Sequence, residues 1–388
     1  MAFILRDYQK DAVDAAVRFL KSKARWNALE VLPTGSGKSL VIANIAKVLG
    51  EPVLIFQPTK EILEQNYAKL LSYGFGAGIY SASKNRREIY DVTFATIGSV
   101  IRKTDLFRKF KHVIVDECHF CNPKAGMYKQ FIEALDGVKV LGLTATPYRL
   151  VTDGFGGSIL KFITRTRPRI FTDLIYYVQN GELFDRGHLA SLRYVSPNGF
   201  DRSQIRLNST GADFDDRAVR KYYKSNNFPD SIVKTAQEAM NRGRKNLLVF
   251  TRFIEEAQYC VSKIPGSAIV TSETPKKERE NILSGFKFGL IPTVCNVGVL
   301  TTGFDYPELE TIIIARPTMS LALYYQMIGR GIRPHPEKPH TEIIDLCGNM
   351  KTFGRVEDLR LVDGGNGKWY VASRGRQLTN IYYGERRI

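Results

Sequence analysis

The chain has few of the features that mark secreted or membrane-spanning proteins. Its five cysteines are an odd, scattered set among 388 residues, which argues against a disulfide framework and indicates a reducing compartment. Cys118 and Cys121 form a C-x-x-C, but no second Cys or His pair follows at zinc spacing, so we expect no zinc site. The N-terminus lacks a basic start before a long apolar stretch, and no run approaches the roughly 18 apolar residues of a membrane span. The sequence therefore predicts a soluble, cytoplasmic protein without a membrane partner.

Acidic residues are also scarce relative to basic ones. The 39 Asp and Glu residues face 56 Lys and Arg residues, which gives a net charge of +17. Such a surplus favours a polyanionic partner, because neutralised phosphates release counterions and drive binding. The alternative is a basic surface that only keeps the protein soluble. With 44% apolar residues over 388 positions, the chain is long enough for two packed cores.

Short, nearly continuous apolar runs alternate with helical patterns in two separate stretches of the chain. The first series occupies residues 28–32, 52–58, 91–96, 112–117 and 139–146. The second series occupies residues 246–251, 267–272, 292–297, 311–317 and 341–346. Runs of this kind are typical of strands buried on both faces of a parallel sheet. The alternation therefore predicts two doubly wound α/β domains of similar build in tandem.

We place the domain boundaries where this alternation breaks down. Residues 1–155 form the first predicted domain, and residues 186–350 form the second, beginning near its outer strand. Between them we expect a linker or helical insertion over 156–185, with an amphipathic helix within 171–184. Charges and glycines over 351–388 indicate a basic C-terminal tail.

The segment LPTGSGKS at 32–39 has the composition of a phosphate-binding loop. Gly35 and Gly37 let backbone N–H groups turn inward around a phosphate at the start of the next helix. Lys38 would bridge the β- and γ-phosphates, and the Ser39 hydroxyl would bind magnesium. The alternative is a Gly/Ser turn that merely caps a helix. We predict an ATP-phosphate site formed by Pro33, Thr34, Gly35, Ser36, Gly37, Lys38 and Ser39.

Adjacent acids follow the apolar run that ends near residue 116. Asp116 is placed to anchor the magnesium ion, and Glu117 to orient or deprotonate an attacking water. The two could instead lie in a solvated loop. They follow the phosphate-binding loop by about two βα units, which favours the catalytic interpretation.

A basic segment, GRGIR at 329–333, ends a helical pattern that begins near Leu321. Arg330 and Arg333 are three residues apart, so we expect both on one helical face. Planar guanidinium groups suit the charge of a transferring phosphoryl group. A basic helix end facing solvent is the alternative.

Together these motifs resemble those of superfamily 2 helicases of the DExH type. The matching motifs run in order along the chain: LRDYQ (5–9), LPTGSGKS (32–39), FQPTKE (56–61), ATIGS (95–99), DECH (116–119), TATP (144–147), VFTR (249–252), VGVLTTGFD (297–305) and QMIGRGIR (326–333). The phrases LLVFTRF, CNVGVLTTGFDYPELE and RPTMSLALYYQMIGRGIRP are similar to the RadD group, near the Res subunits of type III restriction enzymes.

The resemblance implies two RecA-like domains with an ATP cleft between them, and roles for further residues. Arg6 and Gln9 would contact the adenine, and Gly303 and Asp305 would lie near the ribose. Around the γ-phosphate it implies Gln326, Arg330 and Arg333. It implies coupling of the ATP state to the nucleic-acid site through His119, Thr144 and Thr146. Phosphates of the bound strand would contact Thr59, Thr96, Thr251 and Thr301 or Thr302.

The expected function is that of an ATP- and magnesium-dependent helicase or translocase, acting on DNA in repair, recombination or the processing of branched DNA. Hydrolysis of ATP would accompany closure of the two domains. The alternatives are a nucleic-acid-gated ATPase switch that does not unwind strands, and an RNA helicase. Accessory repair or single-strand-binding proteins are possible partners that the residues do not specify. A bacterial or phage protein in the cytoplasm is the expected setting.

Overall fold

The structure is a computed structural model that describes residues 4–82, 85–152, 158–301 and 303–383. It divides into two compact units. The first comprises residues 1–149, 161–179 and 361–371, and the second comprises residues 150–160, 180–360 and 372–388. Each unit therefore gathers segments that are distant in the sequence.

The helices are α1 (Asp7–Lys21), α2 (Lys38–Leu49), α3 (Lys60–Ser72), α4 (Ile97–Val100), α5 (Met127–Ala134), α6 (Asn180–Asp185), α7 (Asp216–Ser225), α8 (Phe228–Asn241), α9 (Ile254–Lys263), α10 (Lys276–Lys287), α11 (Leu321–Ile328) and α12 (Asn349–Phe353). The helices of the described residues are too short or too polar to span a bilayer.

The strands of the first half are β1 (Ala28–Val31), β2 (Val53–Phe56), β3 (Gly78–Ser81), β4 (Arg86–Arg87), β5 (Val92–Ala95), β6 (His112–Asp116), β7 (Lys139–Thr144), β8 (Tyr148–Thr152), β9 (Ser158–Phe162) and β10 (Asp173–Tyr177). Those of the second half are β11 (Leu192–Val195), β12 (Leu247–Thr251), β13 (Ala268–Val270), β14 (Thr293–Val297), β15 (Thr311–Ala315), β16 (Thr341–Asp345), β17 (Leu359–Asp363), β18 (Trp369–Ser373), β19 (Arg376–Gln377) and β20 (Tyr382–Tyr383).

The first unit is built on an eight-stranded sheet in the order β10-β1-β7-β6-β2-β5-β3-β4. Neighbouring strands run parallel except for the short β4, which pairs antiparallel with β3. Strands β1, β2 and β6 are buried along their whole length. This burial is the reason their sequences are continuous apolar runs rather than alternating ones.

The second unit contains a six-stranded parallel sheet in the order β11-β16-β15-β12-β14-β13. Its central strands β12, β15 and β16 are fully buried, as their β-branched composition indicates. The prediction of two parallel-sheet α/β domains is thus confirmed. Loops that follow the carboxyl ends of parallel strands lie together at one edge of such a sheet, which is where α/β proteins bind ligands.

The segment between the two series of strands differs from the sequence-based prediction. Instead of one amphipathic helix within 171–184, residues Asp173–Tyr177 form strand β10, and only Asn180–Asp185 are helical. The aromatic and β-branched residues of β10 favour a strand, and the open edge of β1 supplies its partner, with Leu174 opposite Leu29. Residues 161–179 therefore group with the first unit rather than forming a linker.

The C-terminal region also has more structure than a tail. Strands β17, β18 and β19 follow α12, and Ala372 of β18 pairs antiparallel with Gln377 of β19. The side chain of Gln179 both donates to and accepts from the backbone of Leu361, at 2.8 Å and 2.9 Å. These non-local backbone contacts leave no signature in the local charge and glycine content.

The start of α9 generates a stability prediction. Glu256 is buried, and its Oε1 accepts the N–H groups of Arg252 and Phe253 at 2.6 Å and 3.0 Å. Burial raises the pKa of Glu256 from 4.5 to about 7. The folded state holds this proton more tightly than the unfolded state does. The protonated carboxyl group therefore stabilises the fold fully below the pKa that it has in the unfolded state, and this contribution is lost as the pH rises through the pKa that it has in the folded state.

We therefore expect Glu256→Gln, which keeps the accepting oxygen but carries no charge, to gain stability over the parent protein as the pH rises from about 5 to about 8. The measurement is the urea-unfolding midpoint of both proteins at the two pH values. Glu255→Gln, at an exposed neighbouring position, is the control and should show no such gain. An equal difference at both pH values for Glu256→Gln would contradict the argument.

Candidate functional site

The phosphate-binding loop connects β1 to α2. Leu32 extends the sheet by donating its N–H to the Thr144 carbonyl at 3.1 Å, and the loop then turns away. Gly35 and Gly37 have φ angles of 79° and 86°, in the left-handed region that favours glycine. Helix α2 begins directly after Gly37. The unpaired N–H groups of this helix start provide the expected site for an anionic phosphate group.

The loop is held from behind by α1. Gln9 Nε2 and Tyr8 Oη both donate to the Ser36 carbonyl, at 2.7 Å and 2.8 Å. Gln9 Oε1 accepts the Arg6 N–H at 3.0 Å, so both ends of the Gln9 amide are engaged. A Cβ at Gly37 would lie 2.5 Å from Gln9 Nε2, which explains glycine there beyond its φ angle. Adenine contacts for Arg6 and Gln9 stay predictions, while the structure gives Gln9, and the unpredicted Tyr8, a role in holding the loop.

The acidic residues lie at the end of β6, opposite the loop. Lys38 Nζ is 3.2 Å from Glu117 Oε1. Glu117 has a φ of 50°, an unusual left-handed conformation for a glutamate. The structure thus brings Lys38, Asp116 and Glu117 together as predicted from the sequence.

Burial sets different pKa values for the two carboxyl groups. Burial and the neighbouring Glu117 carboxylate raise the pKa of Asp116 to about 7. Burial alone would also raise the pKa of Glu117, but the Lys38 ammonium and the His119 contact outweigh it and hold that pKa below the ordinary value. The two neighbouring carboxyl groups therefore differ in the direction of their pKa shifts.

The three predicted coupling residues converge on Glu117. Thr144 Oγ1 lies 3.1 Å from Glu117 Oε2 and 2.8 Å from His119 Nδ1. Thr146 Oγ1 lies 3.0 Å from the same ring nitrogen. Both threonines and the histidine are buried. Glu117, His119 and the threonines that end and follow β7 are therefore joined by short hydrogen bonds.

The two predicted magnesium ligands share one partner. Ser39 Oγ donates to Asn66 Oδ1 at 2.6 Å, and Asn66 Nδ2 donates to Asp116 Oδ2 at 3.4 Å. Asn66 Nδ2 also donates to Gln57 Oε1 at 2.9 Å. A hydroxyl and a carboxylate beside a phosphate loop are hard oxygen ligands of the kind magnesium prefers. Asn66 was not predicted from the sequence, because a single polar residue in a helix does not by itself indicate a role in a binding site.

In the second unit, the predicted arginines do not lie on a helix. Helix α11 ends at Ile328, and Arg330 and Arg333 belong to the turn that follows. The expectation of a shared helical face is therefore wrong. The Gly331 N–H bonds to the Ile328 carbonyl at 2.9 Å, and a Cβ on Gly331 would lie 2.5 Å from Thr341 Cγ2. This close approach to β16 turns the chain out of the helix.

The turn places both arginines beside the loop after β14. Arg330 Nη1 donates to the Phe304 carbonyl at 2.8 Å, and its Nε lies 3.3 Å from the Gln326 carbonyl. Arg333 forms an ion pair with Asp305. Asp305, which was predicted to lie near the ribose, is therefore paired in this structure with Arg333, which was predicted to contact the γ-phosphate.

The loop after β14 has its own internal support. Asn296 is buried, and its Oδ1 accepts the N–H groups of Val299 and Leu300 at 3.2 Å and 2.9 Å. Gly303 has a φ of 74°. Asn296 was not predicted, although an asparagine at the end of a buried strand is a residue that can shape the following loop.

Two predicted phosphate contacts of the first unit lie at the N-cap positions of helices. Thr59 accepts the Ile62 N–H at 3.3 Å at the start of α3, and Thr96 lies 2.9 Å from the Ser99 hydroxyl at the start of α4. Both threonines are half-buried. Their hydroxyls and the nearby helix N-termini stay candidates for contacts with nucleic-acid phosphates.

The threonines of the second unit differ from one another. Thr251 is 1% exposed, and its hydroxyl lies 3.4 Å from the carbonyls of Phe253 and Asn296. It therefore presents no hydroxyl to a bound strand in this structure, contrary to the prediction. Thr301 is half-buried, and Thr302 lies outside the described residues.

Models of known families match one segment in each half of the chain. Residues 2–149 match the family "Type III restriction enzyme, res subunit", and residues 230–335 match the "Helicase conserved C-terminal domain". The chain is 27% identical over 369 residues to a predicted ATP-dependent helicase, IRC3, of Saccharomyces cerevisiae, covering 89% of this chain and 52% of that protein. It is 26% identical over 359 residues to the DNA 3'-5' translocase XPB2 of Sulfurisphaera tokodaii, covering 85% and 78%. The chain spans about half to two thirds of the length of several curated relatives.

Among solved structures, a fragment of a predicted HsdR subunit of a type I restriction enzyme from Vibrio vulnificus has the same fold. The TM-score is 0.68 at 22% identity, over 91% of this chain and 66% of that one. The two parallel-sheet units and their motifs define a superfamily 2 helicase with two RecA-like domains. Within this superfamily, residues 2–149 carry the domain of the Res subunits of type III restriction enzymes.

The turn after α11 gives a direct test of the packing argument. Gly331→Ala would force a Cβ against Thr341, which is fully buried and whose hydroxyl bonds the Gly331 carbonyl at 2.6 Å. We expect the unfolding midpoint to fall, with a loss of roughly 1–3 kcal/mol, as for other overpacked sites. Gly76→Ala is the matched control, because a Cβ at that glycine meets nothing within 4 Å. Equal midpoints for the two variants would refute the proposed steric role.

Proposed function

We propose that this protein is a DNA-dependent ATPase that translocates along or unwinds DNA, hydrolysing ATP to ADP and phosphate. One observation carries the proposal: the phosphate-loop residue Lys38 lies 3.2 Å from Glu117, which is itself bonded to Thr144 beside His119. This arrangement brings together a lysine to bind phosphate, a carboxylate to act on the attacking water, and hydrogen bonds that connect the carboxylate to the segment after β7. The net charge of +17 and the relative described as a DNA translocase favour DNA as the polyanion.

The residues present fit magnesium. Ser39 and Asp116 would hold the ion, which when bound neutralises charge on the β- and γ-phosphates. Lys38 would exchange its contact with Glu117 for the phosphates of ATP. Glu117, whose pKa is held below its ordinary value, is ionised at neutral pH and is able to accept a proton from water.

The second unit would complete the reaction by supplying cations to the γ-phosphate. Arg330 and Arg333 are the proposed donors, with Gln326 helping to place the water and with Gly303 and Asp305 near the ribose. Arg333 would exchange its ion pair with Asp305 for a phosphate. Closure of the two domains on ATP would then couple hydrolysis to the grip on the nucleic acid. The proposed setting is DNA repair or the processing of branched DNA in a bacterial or phage-infected cytoplasm.

Two substitutions in the phosphate site should separate binding from chemistry. Glu117→Gln removes the proton acceptor but leaves the loop intact, so ATP binding should persist while turnover falls by at least roughly 100-fold. Lys38→Ala removes the phosphate contact and should reduce both. The measurements are ATP affinity and steady-state phosphate release. Full turnover in the Glu117→Gln protein would exclude Glu117 from the proposed role.

The nature of the polymer is tested by comparing activators. We expect single-stranded, duplex or forked DNA to stimulate ATP hydrolysis more than RNA, and DNA affinity to fall steeply with salt as counterion release requires. ATPase rates with each polymer, followed by a strand-separation assay with the best activator, provide the measurement. Stimulation without strand separation would favour a translocase or an ATPase switch. Stimulation by RNA alone would overturn the assignment to DNA.

A further inference from the structure

Helix α3 carries a side chain that connects the two predicted magnesium ligands without being one of them. Asn66 is half-buried, and its carboxamide contacts Ser39, Asp116 and Gln57 at 2.6 Å, 3.4 Å and 2.9 Å. The three partners come from the phosphate loop helix, the end of β6 and the end of β2. Asn66 is thus a junction of three separate segments at the edge of the sheet.

The directions of these hydrogen bonds, from donor to acceptor, suit a cation-binding site. Ser39 donates its only proton to Asn66 Oδ1, so both lone pairs of the hydroxyl oxygen remain available to a cation. Asn66 Nδ2 donates to Asp116 Oδ2, while the Glu117 N–H donates to Asp116 Oδ1 at 3.0 Å. The carboxylate is therefore oriented through both oxygens. The carboxamide supplies an acceptor to the serine and a donor to the aspartate at the same time.

Gln57 provides a second acceptor for the amino group of the Asn66 carboxamide. Gln57 is fully buried at the end of β2, and its backbone N–H donates to the Ala95 carbonyl at 3.0 Å. Its side-chain Oε1 accepts from Asn66 Nδ2. A flipped Asn66 would set its oxygen against the oxygens of both Gln57 and Asp116. Asp116, which presents only oxygens, and the buried glutamine therefore both favour the orientation in which Asn66 Oδ1 faces Ser39.

We propose that Asn66, supported by Gln57, is a positioning residue for the magnesium site, fixing the Ser39 hydroxyl and the Asp116 carboxylate in the geometry that accepts the ion. This inference rests on the proposed ATPase function. Partners that orient metal ligands in this way commonly contribute about 10–100-fold to metal affinity or activity. Asn66 itself would not touch the nucleotide or the reacting atoms.

The test separates metal-dependent from metal-independent binding of ATP. ATP affinity is measured with EDTA and with saturating Mg²⁺ for the parent protein, Asn66→Leu and Asn66→Ala. Both variants should bind ATP normally in EDTA, because Lys38 and the loop are untouched. The gain in affinity on adding Mg²⁺ should fall at least roughly tenfold. A second readout, the Mg²⁺ concentration that half-saturates this gain, should rise by a similar factor.

Asn44→Ala is the matched control. Asn44 is also a half-buried asparagine on a helix of the same unit, where its Nδ2 donates to the Leu40 carbonyl at 2.8 Å. This variant should keep the full Mg²⁺ effect. Thermal unfolding of each variant identifies any that is misfolded. If Asn66→Leu is misfolded, the milder Asn66→Ala substitution still provides the test.

The outcomes distinguish the two levels of the proposal. An unchanged Mg²⁺ effect in folded Asn66 variants would overturn the positioning role and leave the ATPase proposal standing. Equal losses of ATP affinity with and without Mg²⁺ would also overturn it, because they indicate general damage to the loop. If the parent protein itself gains no ATP affinity from Mg²⁺, the proposed function fails at its metal site.

Discussion

The ion pair between Lys38 and Glu117 is the contact on which the site of the first unit depends. It requires the loop after β1 and the end of β6 to approach each other, and the parallel sheet brings both carboxyl ends to one edge. Its environment excludes most water, which strengthens the attraction and leaves the two neighbouring carboxyl groups with opposite pKa shifts. The contact with Lys38 therefore distinguishes two adjacent carboxyl groups whose pKa values burial alone would raise together.

In both units, buried polar side chains form hydrogen bonds with the backbone of a loop and hold it in place. Gln9 and Tyr8 hold the Ser36 carbonyl, and Asn296 holds the loop after β14. These supports satisfy polar backbone groups that would otherwise be costly to bury. The loops are thereby given defined positions while they keep the glycines that adopt positive φ angles.

Much of this arrangement can be predicted from the sequence. Continuous apolar runs identify the buried parallel strands, and the motifs identify Lys38, Asp116 and Glu117 as neighbours. The sequence is less informative where long-range contacts decide the structure. The strand β10 depends on the open edge of β1, and the turn at Arg330 depends on the approach of Gly331 to Thr341. Asn66 is recognisable only once its three partners are brought together in space.

The left-handed backbone of Glu117 has a consequence for how this protein changes over time. Non-glycine residues pay a conformational cost at such a φ angle, and Asp116 beside it is a buried carboxyl with a like-charged neighbour. Under the proposed function, substitutions that relax either feature would make the unit more stable while impairing ATP hydrolysis. This short segment is therefore where selection for a durable protein and selection for an active one act in opposite directions.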